Sequence, residues 1–115
     1  MWEWSVELEP EVEAWLRGLS DEAFGAVAFY IDLLEDRGVH LPFPYSSHLR
    51  RGDLRELRFY LGRTRQRITY FITGRRIILL TVFHKTARQE RAEIDRAERA
   101  MQRCRAEGHT VDEET

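Results

Sequence analysis

Arg58, Arg67, His84 and Lys85 are the side chains whose types and spacing point most directly to chemistry. The last two stand together where the aliphatic run RRIILLTVF stops and the charged stretch HKTARQER begins. Histidine titrates near neutrality and can give or take a proton. The arginine fork matches phosphate oxygens two at a time. Gathered around one phosphodiester, such residues could cut RNA internally without a metal. The 2′-hydroxyl would attack its own phosphate and a base would take its proton. Cations would hold the dianionic transition state, and an acid would protonate the departing 5′ oxygen. Tyr60 and Tyr70, on the same strands as the arginines, could stack a splayed base. Each residue also has a plain structural alternative. Arg67 could pair with Glu56 and Arg58 with Glu90, the tyrosines could pack, and His84 and Lys85 could simply be exposed.

Other chemistries lack their signatures. There is no glycine-rich phosphate loop, no His-Glu-x-x-His and no Cys-x-x-Cys. His40, His48, His84 and His109 have no spacing that suggests a shared ligand face, so no metal is expected. Ser46 and Ser47 have no nucleophile-elbow context. The single cysteine, Cys104, can form no internal disulfide, and its place on an apolar stripe reads as core. No cofactor is expected.

Charge supports a phosphate-binding surface. The 115 residues carry a net charge of −2, which alone argues against nucleic acid. Residues 49–91, however, hold 12 basic and 3 acidic side chains, between an acidic first part (2 basic, 10 acidic) and an acidic last part (4 basic, 7 acidic). A basic middle between acidic ends is the footprint of an anion-binding face on an otherwise acidic protein. Lys85 is the only lysine among many arginines. No apolar run approaches the ~18 residues of a membrane span. The N-terminal MWEWSVELEPE is acidic and amphipathic, unlike a signal or transit peptide, so no membrane partner and a cytoplasmic location are expected.

The elements that must position these residues follow from periodicity. A hydrophobic content of 43% over 115 residues fits one folded domain, 1–115, with an acidic tail expected from about 107. Trp2, Trp4, Val6 and Leu8 alternate with polar residues as in a half-buried strand. Pro10 opens a short helix bearing Val12, Trp15, Leu16 and Leu19. Ser20 caps a second helix with Phe24, Val27, Ile31 and Leu34 along its stripe, and Gly38 stops it. Residues 39–53 read as a loop, because Pro42 and Pro44 oppose regular structure. Three strands follow, 54–61, 65–73 and 76–83, the last apolar on both faces and therefore expected at the centre of the sheet. Thr86 and Gln89 have capping-box spacing for a final helix carrying Ala87, Ile94, Ala97, Met101 and Cys104. The order β-α-α-β-β-β-α predicts an α+β fold, a small antiparallel sheet with two N-terminal helices on one face and a C-terminal helix.

Several segments, in order, resemble the RelE/HigB superfamily of type II toxins, most closely its HigB-like, phage-derived branch. That branch shows an E-L-R strand, a Y-R-(hydrophobic)-x-Y-F strand, and G-R-(hydrophobic run)-F-x-K-K-T leading into a charged helix with E-I-x-x-A. The corresponding residues are Glu56-Leu57-Arg58, Gln66 to Phe71, Gly74 to Phe83, Lys85-Thr86, and Glu93 to Ala97. Gln66 stands where a tyrosine is common, and His84 where relatives often carry Val or Lys. The match spans roughly residues 49–100. It implies a RelE-like microbial-RNase-type fold and an endoribonuclease that cuts mRNA on the ribosome, inhibiting translation and growth. It also implies a cognate antitoxin protein as partner, with DNA reached only through that antitoxin. By position, Arg58 and Arg67 would hold the phosphate and transition state, with His84 and Lys85 completing the catalytic set. Arg55, Tyr60, Arg65, Tyr70 and Arg88 would contact RNA. Two other readings stay open: a ParE-like toxin that inhibits DNA gyrase without catalysis, and an inactive toxin-like binding module.

Overall fold

Local sequence signals account for where the first elements begin and end. In the computed structural model, which describes residues 4–49, 51–86 and 90–108, the chain opens with strand β1 (Ser5–Leu8) and helix α1 (Pro10–Arg17). Pro10 starts α1, where a missing N–H leaves no bond unmade. Helix α2 (Asp21–Arg37) is capped by Ser20, whose Oγ accepts from the Ala23 N–H at 3.1 Å. Asp21 and Glu22 sit in its first turn, where the helix dipole favours acids. Gly38 ends it with φ of 50°, a conformation that suits glycine. A Cβ there would stand 2.3 Å from the Trp4 ring, so the side chain is excluded by contact as well as by backbone.

After a short 3-10 turn (Gly38–His40) come β2 (Ser46–His48), β3 (Arg55–Leu61), β4 (Thr64–Thr73), β5 (Arg76–His84) and helix α3 (Glu90–Ala106). The five strands lie in the order β1-β5-β4-β3-β2. Strands β2 to β5 form the expected antiparallel ladder, and β1 joins it parallel to β5, with Ser5 opposite Arg76 and Leu8 opposite Leu79. The sheet is therefore mixed. Strand β5 is interior, as its two apolar faces require, but β4 holds the middle place in the order.

Strand β2 departs from the expectation of a loop over 39–53. Three residues are too few to show alternation, and the pairing of Ser46–His48 with Leu57–Arg55 comes from the waiting edge of β3. Ser46 is pinned there by a 2.5 Å hydrogen bond between its Oγ and the Tyr70 hydroxyl.

The sheet separates two cores. On one face α1 and α2 bury Val12, Val27 and Leu34 against Leu57, Ile68, Tyr70 and Leu79. On the other, α3 lays Ala97, Met101 and Cys104 against Leu54, Phe71, Ile78 and Leu80. Ion pairs tie α3 to the loop before β3. Arg51 bonds Asp95 at 2.6 Å and Glu98 at 2.9 Å, and Arg105 bonds Asp53 at 2.7 Å. Where β1 has ended, the free edge of β5 is closed by side chains instead. Glu11 accepts from the Val82 N–H at 3.0 Å and is held by the Arg96 guanidinium.

A bulge in β5 decides which side chains reach each face near its end. Thr69 pairs with Thr81, but the next residue of β4, Tyr70, pairs with Leu79, so Leu80 is an extra residue in β5. The Thr69 and Thr81 hydroxyls bond at 2.5 Å, and the Thr81 N–H donates to Thr69 Oγ at 3.1 Å. Beyond this bulge the alternation of β5 is inverted relative to its first half.

Candidate active site

The β3–β4 hairpin supplies most of the site. Its two-residue turn, Gly62-Arg63, with Gly62 at φ of 63°, sets the register in which Arg58 faces Arg67 and Tyr60 faces Arg65. Residues directly opposite one another share a face. In β5 the partner of Arg67 is Phe83, and the Lys85 N–H donates to the Arg65 carbonyl at 2.7 Å, extending the ladder one residue past the strand. Glu56, Arg58, Tyr60, Arg65, Arg67 and Lys85 therefore occupy one face. It is the face that α3 packs on, at the end of the sheet away from the residues α3 buries.

At the centre lies a carboxylate. Glu56 is 3% exposed, as is Arg67. Its Oε2 stands 3.5 Å from Arg67 Nε and 3.9 Å from Arg58 Nη1. Arg67 also donates to the Gln66 carbonyl at 3.0 Å. Lys85 Nζ lies 3.6 Å from Glu90, at the start of α3. Two arginines directly opposite each other repel, and the carboxylate between them is what makes the arrangement tolerable. Burial pushes the Glu56 carboxyl above its ordinary value, against the opposing pull of Arg67 and Arg58. Burial likewise lowers the Arg67 guanidinium, which Glu56 supports while Arg58 and Arg65 press it down. Glu56 Oε1 and Arg67 Nε are buried and have no hydrogen-bond partner among the described residues. Beside this cluster a cavity of about 230 Å³ opens between Pro44-Tyr45 and β3, lined in part by Arg58, Tyr60, Arg65 and Arg67. The arrangement can bind a phosphate with several cations and hold a proton acceptor within it.

Of the residues singled out from sequence, Arg58, Arg67, Lys85, Tyr60 and Arg65 come together here. His84 does not: it pairs with Gln66 and lies exposed on the face of α1 and α2, because the extra Leu80 turns it away. Tyr70 is 0% exposed and bonded to Ser46, so its ring is core and offers no face to a base. Arg55 pairs with Tyr70 at the far end of β3, beside a different recess lined by His48 and Asp53. Arg88 lies outside the described residues, as do Gln89 of the capping box and Ala87 of the expected stripe. Two further residues join the site that sequence reasoning did not single out. Glu56 is legible as the one acid alternating with Arg58 and Tyr60, but it reads from sequence as an ordinary ion-pair partner. Tyr45 falls in the 39–53 segment, which has no period to give it a face. Among the described residues no cluster of three or more His, Cys, Asp or Glu could hold a metal ion. No helix among them is long and apolar enough to cross a membrane.

Known proteins provide an independent comparison. The family described as Phage derived protein Gp49-like (DUF891) matches residues 14–102. Among solved structures, the RelBE2 toxin–antitoxin complex of Mycobacterium tuberculosis contains a similar chain, with a TM-score of 0.54 and 20% identity over 72% of this chain and 99% of that one. The RelE–RelB complex of the archaeon Pyrococcus horikoshii contains another, with a TM-score of 0.54 and 21% identity over 74% and 98%. At such identities the likeness establishes a RelE-like α+β fold. No curated protein matches at a significant level.

Proposed function

The chain belongs to the phage-derived Gp49-like family, and from that premise we propose that it is the toxin of a type II toxin–antitoxin system, acting as an endoribonuclease on ribosome-bound mRNA. The observation that carries the catalytic reading is the buried Glu56 carboxylate, 3.5 and 3.9 Å from the arginines of two neighbouring strands, with Lys85 beside them on the same face. In this reading Glu56 accepts the 2′-hydroxyl proton. Arg58 and Arg67 neutralise the charge that develops on the phosphate oxygens as the 2′ oxygen attacks. The Lys85 ammonium gives a proton to the departing 5′ oxygen, and the products are a cyclic phosphate and a free 5′-hydroxyl. Arg65 and Tyr60 hold the neighbouring nucleotide. A cognate antitoxin as partner is supported by the two structural neighbours, both of which are toxin–antitoxin complexes.

The test is induction of the chain in a bacterial host, with mapping of new mRNA 5′ ends. Cuts in phase with codons are expected. Arg58→Ala and Lys85→Ala should each reduce cleavage by about 10²–10³-fold, the loss typical of a single transition-state donor. His84→Gln should leave it near the native level. Growth arrest with no new ends but with DNA-damage signalling would replace this reading with gyrase inhibition. Absence of both would leave a binding module.

A further inference from the structure

Glu11 and Arg96 lie outside the cation cluster, yet their ion pair closes on the strand that leads into Lys85. We propose that Glu11 and Arg96 are positioning residues for cleavage: together they stand in for a strand neighbour at Val82 and so fix where Lys85 sits. The inference rests on the RNA-cleaving reading above and assigns the residues that hold its proton donor in place.

Strand β5 has a strand on both sides only in its first half. On the β1 side the pairing reaches the Leu79 carbonyl, which accepts from the Glu9 N–H at 2.9 Å, and there α1 begins. The extra residue Leu80 then interrupts the ladder with β4. Beyond it, residues bonded to β4 alternate with residues whose backbone groups point the other way. Lys85 bonds to Arg65, so Val82, an odd number of steps back, turns its N–H and C=O away from β4. Side chains meet both groups. Glu11 Oε2 accepts from the Val82 N–H at 3.0 Å, and Arg96 Nη2 donates to the Val82 carbonyl at 3.4 Å. Arg96 Nη1 bonds the other oxygen of Glu11, so one connected pair closes the donor and the acceptor of Val82.

Two routes lead from this pair to Lys85. One is the backbone: Val82 is three residues before Lys85, and a strand end bonded on one edge alone frays more readily than one bonded on both. The other is helix α3. Arg96 also bonds Glu93 at 2.8 and 3.0 Å, on the same helix as Glu90, whose carboxylate lies 3.6 Å from Lys85 Nζ. Anchoring Arg96 on β5 therefore sets where Glu90 stands, and with it the Lys85 ammonium. A proton donor must stand within hydrogen-bond reach of the departing oxygen, and a misplacement of about 1 Å can cost on the order of 10²-fold in rate. The pair acts through Lys85 and takes no part in binding RNA.

The experiment is a single-turnover cleavage assay of the full chain on mRNA in programmed ribosomes. It reads the maximal rate and the concentration of chain that half-saturates it. Glu11→Ala, Arg96→Ala and the double variant are compared with the native chain, each also combined with Lys85→Ala and each checked by a circular dichroism melt. Each single variant should lower the maximal rate by about tenfold and leave the half-saturating concentration unchanged. The double variant should lose no more than either alone, because the two act as a unit. Combined with Lys85→Ala, none should lower the rate further. Arg51→Ala, which releases α3 from the loop before β3 but not from β5, should cleave at the native rate. If an alanine variant does not fold, Glu11→Gln or Arg96→Lys takes its place in the same comparison. Native rates in both single variants would overturn the positioning role while leaving the RNA-cleaving reading intact. Losses that are equal with and without Lys85, or that Arg51→Ala shares, would also overturn it, because they would mark the pair as support for the fold alone. A native chain that does not cleave would overturn the RNA-cleaving reading and the positioning role with it.

Discussion

Glu56 is pulled in two directions: two guanidinium groups favour its charge, and removal from water opposes it. Burial is the larger effect, so its pKa lies above the ordinary 4.5. A general base works only when ionised. Cleavage of ribosome-bound mRNA should therefore fall as pH drops through a midpoint above 4.5, and this group should impose no limit on the alkaline side. Glu56→Gln removes the acceptor without much change of shape. It should lower the rate by about 10²–10⁴-fold and abolish that acid limb. A pH–rate series on both proteins decides the matter: an unchanged limb in the variant would assign the base elsewhere. Cys104 shows burial acting in the same sense on a group with no part in the chemistry. Its thiol is 0% exposed and pushed up to about 11, which keeps it protonated and inert.

At the scale of elements, the contact between Gly38 and Trp4 fixes where α2 turns back toward β1. Gly38→Ala brings a methyl group within 2.3 Å of the indole and strains a backbone at φ of 50°. The expected cost is about 1–3 kcal/mol, read as a lowering of the melting temperature by at least several degrees. A melt superimposable on the native one would show that Trp4 moves aside freely. The elements differ in how far the sequence announces them. Strands β3 and β4 are legible, because alternation separates Leu57 and Ile68 from Arg58 and Arg67, and the Gly62 turn fixes their register. The Ser20 cap of α2 and the Val27 and Leu34 part of its stripe are equally plain, whereas Phe24, expected on that stripe, is 48% exposed. Strand β2 is not, since its three residues take their conformation from a neighbour distant in sequence. The site is half legible for the same reason: strand period gives a face, but only tertiary pairing gives the burial that makes Glu56 unusual.

Across the whole molecule, the basic surplus of residues 49–91 is smaller in effect than its count suggests. Arg51 is engaged by Asp95 and Glu98, and Arg76 by Glu7 at 2.5 Å. The cations gathered at the site are Arg58, Arg65, Arg67 and Lys85, on one face of a chain whose net charge is −2. Binding to single-stranded RNA should therefore depend on salt as a few contacts would dictate. The expected slope of log K against log salt is about −2 to −3, at ~0.7 per phosphate contact. Fluorescence anisotropy across a salt series measures it, and Arg65→Ala should flatten it by about 0.7. A slope near −8 would mean that arginines far from the site join in.

The extra residue Leu80 has a consequence for comparing this chain with its relatives. Counted in steps of two from Arg76, the chain arrives at His84; in space, the face reached is that of Lys85. Place in the chain and place in the sheet part company at one inserted residue. A relative without the insertion would carry its equivalent of Lys85 one position earlier, in the column that a gapless alignment assigns to His84. Such an alignment would report a change of residue type where none has occurred at the site. The gap belongs between Leu79 and Thr81, and the hydroxyl pair of Thr69 and Thr81 is the marker by which to place it.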